Sequence, residues 1–137
     1  MLTTAPPPTR RRALVALPLA WAALVFALTL TPARSMPETP HWELLSFDTG
    51  AHAFVFFVQS VLAVFSARRQ RWFPRLRAHA FRVVLVLTLV MGTGIEVLQM
   101  WMDLGRNGEW SDILSDAIGA VGGLLLMWGL RRFWQWQ

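Results

Sequence analysis

The sequence of 137 residues has no cysteine and no lysine, and only 15% of it is charged. Without cysteine there can be no disulfide framework, no thiolate nucleophile and no cysteine-ligated metal, and the redox compartment leaves no mark. Without lysine, all thirteen basic residues are arginine, a uniformity that coding bias alone can produce. So little charge beside 55% hydrophobic residues excludes a disordered chain and fits a soluble one poorly. The length accommodates one domain.

What the chain does contain is four apolar runs, at 13–30, 47–66, 83–102 and 112–130. Each is close to the ~20 residues that a 30 Å hydrocarbon layer requires. The second is interrupted by Asp48, His52 and Gln59, and the fourth is rich in Gly, Leu and Ile. The expected fold is an all-α membrane protein with four transmembrane helices. Residues 1–12, with Pro6, Pro7 and Pro8, read as a disordered basic tail, 13–130 as the membrane domain and 131–137 as an interfacial tail. Pro18 should bend the first span without ending it, because lipid forces the backbone to stay helical. A secretory signal peptide is the rival reading of that run. It is disfavoured because the run exceeds the ~7 to 15 residues of an ordinary apolar region and no small-x-small cleavage site follows Leu30.

Arginine supplies the orientation. Arg10, Arg11, Arg12, Arg68, Arg69, Arg71, Arg75, Arg77, Arg82, Arg131 and Arg132 fall on one side of the four runs, and only Arg34 and Arg106 on the other. The positive-inside rule therefore places both termini in the cytoplasm. All eight acidic residues fall in the outer loops or the outer ends of the spans, an observation the rule does not use. The six arginines between the second and third runs read as topology determinants that meet anionic lipid, not as a nucleic-acid surface. Trp42, Trp101 and Trp110 outside, with Trp72, Trp128, Trp134 and Trp136 inside, read as interfacial belts.

Ionisable groups inside a span cost several kcal/mol each, which makes function the default expectation for them. At 1.5 Å per residue, His52 lies about 7 Å, Glu96 about 9 Å and Asp116 about 6 Å inward from the outer ends of their spans. Three helices thus carry polar groups to one depth. Residues three or four apart share a helix face, so Asp48 goes with His52, and Glu96 with Gln99 and Gly92. Asp112, Asp116, Gly119 and Gly123 form one stripe of the fourth span, where the Gly119-x-x-x-Gly123 pair invites close helix packing. Four carboxylates, Asp48, Glu96, Asp112 and Asp116, face at most two positive charges, from Arg106 and a protonated His52. Three accounts remain: a carboxyl keeps a proton, a divalent cation binds, or some groups face water. Helix capping would explain Asp48 and Asp112, but not the deeper His52, Glu96 and Asp116. Gln59 reads as an isolated polar residue, and His79 as a loop histidine.

Asp48-x-x-x-His52 followed by aromatic residues, Glu96-x-x-Gln99, Arg106 with Asp112 six residues on, and Gly119-x-x-x-Gly123 together resemble the VanZ-like family of small bacterial membrane proteins. The likeness covers about 47–126. The family often has lysine where this chain has Thr49, and asparagine where it has Asp116, so the acidic cluster gains a charge here. The resemblance implies a multi-pass protein of the bacterial inner membrane and cell envelope, in a family named for association with resistance to the glycopeptide teicoplanin.

Two functional classes follow. In the first, an outward-facing polar pocket of Asp48, His52, Glu96, Gln99, Arg106, Asp112 and Asp116 binds a lipid head group, a cell-wall precursor or a glycopeptide. In the second, Asp48, His52, Glu96 and Asp112 supply acid-base or metal chemistry at the outer leaflet. Zinc is disfavoured, since only one histidine is at hand. A continuous ion pathway is the weakest reading, because little polar character reaches the inner side. The oligomeric state is open, although four helices with one Gly-rich face could close a bundle alone.

Overall fold

The computed structural model describes residues 8–31, 47–102 and 110–133. Arg106 lies outside the described residues, as do Trp42, Trp134, Trp136 and the side chain of Asp48. The described residues form five helices: α1 (Pro8–Thr29), α2 (Phe47–Arg69), the short α3 (Pro74–Ala78), α4 (Ala80–Met102) and α5 (Trp110–Leu130). No strand occurs among them. Segments Thr49–Arg69, Ala80–Met102 and Trp110–Leu130 are long and apolar enough to cross a membrane, and Leu14–Thr29 is a shorter apolar helix.

Each helix is longer than its apolar run, for local reasons. α1 starts at Pro8 and carries Arg10, Arg11 and Arg12 in its first turns. Proline suits the first helical position, where its missing N–H costs nothing. The helix passes through Pro18 without ending. α2 continues past Ser66 to Arg69, where Gln70 closes the turn. The Gln70 amide donates to the Phe73 carbonyl at 2.8 Å and accepts from the Phe73 N–H at 2.8 Å. Pro74, at the first position of α3, then begins a short helix between the second and third apolar runs. α5 begins at Trp110, so Asp112 sits inside the first turn and does not cap the helix from outside. A carboxylate there still meets the positive end of the helix dipole.

Side-chain contacts set the helix directions. Ser66 Oγ donates to the Leu14 carbonyl at 2.7 Å, and the Trp21 indole N–H donates to the Val55 carbonyl at 3.1 Å, so α1 runs antiparallel to α2. Gly119 packs on Ala53 and Gly123 on Phe57, so α2 and α5 run parallel. Val84 packs with Met127 while Gly92 faces Asp116, so α4 runs against α5. One apolar core (Val25, Phe56, Ile95) lies towards one end and another (Val64, Val84, Met127) towards the other. The outer surface is apolar as well: Val90, Leu114, Ile118 and Leu125 are each more than 60% exposed. His52, Glu96, Gln99 and Asp116 are buried. An apolar exterior around a polar interior is the arrangement lipid favours, because intramembrane ionisable groups must face the bundle.

Candidate functional site

The site is built outward from a pair of glycines. A Cβ at Gly119 would overlap the backbone carbonyl of Ala53, and one at Gly123 would lie 2.5 Å from the Phe57 carbonyl oxygen. Only hydrogen at both positions lets the α2 and α5 backbones touch, the use to which small-xxx-small patterns are put in membranes. Asp116 sits one turn before Gly119, and His52 immediately precedes Ala53. The close approach therefore carries a short aspartate within reach of the imidazole. His52 Nδ1 and Asp116 Oδ1 are 2.9 Å apart, with both side chains almost wholly buried.

α4 completes the group in the same way. Gly92 leaves room for Asp116, since a Cβ there would come within 2.8 Å of Asp116 Oδ2. Glu96, one turn further along α4, then faces the pair. His52, Glu96 and Asp116 each bring a ligand-capable atom within 4.8 Å of the others, and all three are buried. Asp116 Oδ2 is buried and has no hydrogen-bond partner among the described residues.

The remaining sequence candidates have different surroundings. Gln99 is 2% exposed, and its amide N–H donates to the Thr29 carbonyl at 2.7 Å. That bond ties the end of α1 to α4 and occupies the donor side of the amide. Asp112 is buried one turn before Asp116 on the same stripe, and its backbone carbonyl accepts from the Ser115 hydroxyl at 2.9 Å. The described arginines of 68–82 and 131–132 lie at the opposite end of the bundle. There Arg131 stacks over the Trp128 ring at 4.4 Å. Trp101 and Trp110 are the most exposed tryptophans at the end where the cluster sits, as an interfacial belt requires.

One feature had no signal in the sequence. An apolar groove of about 400 Å³ runs between α1, α2 and α4 in the half of the bundle away from the cluster, with Gln59, Ser66 and Thr88 among its few polar groups. The Thr88 hydroxyl is satisfied by the Val84 carbonyl at 2.7 Å, while Gln59 Oε1 has no partner among the described residues. Gln59 thus lines a gap between helices, where the sequence showed only an isolated polar residue.

Chemically, an imidazole between carboxylates can hold and transfer a proton, or it can join them in ligating a cation. Among comparisons with known proteins, the family model described as VanZ/LLP1 matches residues 14–132, a range that takes in every helix core and the whole cluster. Comparison with curated proteins and with solved structures found no match.

Proposed function

The chain belongs to the VanZ/LLP1 family, and on that premise we propose that it is a four-span protein of the bacterial cytoplasmic membrane whose buried cluster forms the floor of an outward-facing ligand site. The ligand is the polar head group of an envelope lipid or cell-wall precursor. The observation that carries this reading is the convergence of His52, Glu96 and Asp116 from three helices to within 4.8 Å. Inert packing seldom brings three ionisable groups together in an apolar bundle, where each costs several kcal/mol. Arg106 belongs to this reading as the guanidinium that pairs with a phosphate or carboxylate on the ligand, and Asp48 and Asp112 as the rim. Teicoplanin, held in the same site, is the ligand through which the protein would contribute to glycopeptide resistance.

The orientation rests on the arginines, and the fourth span on α1. Its 22 residues extend about 33 Å, enough to cross. Because the chain has no cysteine, single introduced thiols report topology without background. Ser35→Cys should react with an impermeant maleimide in intact cells, and Ala78→Cys only after the membrane is opened. The reverse pattern would invert the site and remove the outward reading.

Binding is tested on purified protein in phosphatidylcholine nanodiscs, with phosphatidylglycerol, undecaprenyl phosphate and teicoplanin as separate probes. One of the three should bind saturably, and Asp116→Ala and Glu96→Gln should each weaken it about tenfold or more, equivalent to about 1.4 kcal/mol. Saturable binding of none, or equal binding by both variants, removes the reading. The 2.9 Å His52–Asp116 pair also favours a second reading, an acid-base enzyme at the outer leaflet. In that case Glu96→Gln should abolish turnover of the bound probe while its affinity stays unchanged.

A further inference from the structure

We infer that His52, Glu96 and Asp116 ligate a single divalent cation that prefers oxygen and imidazole donors, of which Mn²⁺ is the best probe. This inference rests on the reading of the cluster as a ligand site and names what that site holds first. The donor spacing fits one ion. Two ligand atoms each about 2.1 Å from a metal and at right angles are roughly 3.0 Å apart. His52 Nδ1 and Asp116 Oδ1 stand at 2.9 Å, so the positions that share a proton are also those of adjacent ligands on one ion. Opposite ligands at the same bond length are about 4.2 Å apart, so the third donor, within 4.8 Å of the others, reaches the ion by a side-chain shift of about 0.6 Å.

A second observation is independent of that spacing. Asp116 Oδ2 is buried in a residue 2% exposed, has no hydrogen-bond partner among the described residues, and points at the strip of α4 that bears Gly92 and Glu96. A carboxylate oxygen left without a donor in an apolar bundle is costly unless a cation satisfies it. The cluster's own charge agrees: as ligands Glu96 and Asp116 carry two negative charges and the His52 imidazole is neutral, so a divalent ion balances the three. One imidazole with two carboxylates suits octahedral Mn²⁺ or Mg²⁺ better than tetrahedral zinc. An octahedral ion held by three protein donors keeps positions free for further oxygen ligands, and a phosphate oxygen of the head group is one of that kind.

The test uses the full chain in phosphatidylcholine nanodiscs, stripped with EDTA and titrated with Mn²⁺. The free-ion electron paramagnetic resonance signal should be quenched to one ion per chain, with nitrogen hyperfine coupling from one bound imidazole. Glu96→Gln and Asp116→Asn should each lower Mn²⁺ affinity about tenfold or more, and His52→Gln should lose the nitrogen coupling. Gly94→Ala, whose added methyl meets nothing within 4 Å, should match the parent. A parent protein that quenches no signal, or one whose bound Mn²⁺ shows no nitrogen coupling, overturns the inference, and neither result depends on whether a variant folds. Repeating the head-group titration with EDTA separates the two readings. Head-group binding that is unchanged by EDTA, with no Mn²⁺ bound, keeps the ligand site and ends the metal. Mn²⁺ binding without any head-group binding keeps the metal and ends the head-group reading.

Discussion

Gly119→Leu should leave the chain in the membrane but unable to form its bundle. In detergent the cooperative thermal transition should vanish, whereas Gly94→Ala should keep the parent's Tm within a degree or two. The first added carbon at position 119 already occupies the place of the Ala53 carbonyl oxygen, and that is backbone, which cannot swing aside as a side chain can. Overpacking ordinarily costs about 1–3 kcal/mol where side chains can give way. Here the whole α2–α5 contact must open, and with it the approach that brings Asp116 to His52. Gly119→Ala should be intermediate, lowering Tm and weakening head-group binding together. A Gly119→Leu protein with parental Tm would mean that α2 and α5 do not touch along this face.

The second large effect concerns the pair itself. His52→Ala or Asp116→Ala alone should cost about 3–5 kcal/mol, because each breaks a buried pair by removing one partner. The double variant should cost little more than either single one, giving a coupling close to the cost of a single variant, about 3–5 kcal/mol. Unfolding from mixed micelles with increasing denaturing detergent would measure all four proteins on one scale. Hydrogen bonds between membrane helices average only ~0.6 kcal/mol in such cycles. A coupling well above that value therefore marks a charge-assisted pair, and strictly additive single costs would show that the 2.9 Å contact contributes nothing in the bilayer.

The sequence was most legible where a single physical quantity decided the matter. Length and hydropathy located the cores of the helices, since lipid tolerates few other solutions. Helix ends were less legible. Capping from outside the helix was one account of Asp112, but α5 begins at Trp110 and Asp112 lies inside its first turn. Gln70 organises the turn before Pro74 through bonds to a backbone that only the fold puts there, so no sequence pattern singles it out.

In the site, rise per residue placed His52, Glu96 and Asp116 at one depth, and the Gly119–Gly123 pair announced a close helix contact. Neither told which helix fills that contact. Spacing alone also grouped Gln99 with Glu96 as an equal, whereas the structure gives its amide to Thr29 and leaves Glu96 with the cluster. Periodicity reports which residues share a face. It does not report which faces meet, and that second fact separates a ligand candidate from a strut.

The parallel packing of α2 on α5 also orders events during synthesis. α2 finds its most extensive partner in α5, which is made after α3 and α4, not in the helix that follows it. Until α5 enters the bilayer, the Ala53–Phe57 face has no glycines to meet and His52 has no aspartate. A chain interrupted before Trp110 therefore holds the His52 imidazole without its Asp116 partner. The α2–α5 face closes only when α5 arrives, and until then the residues it covers lie open.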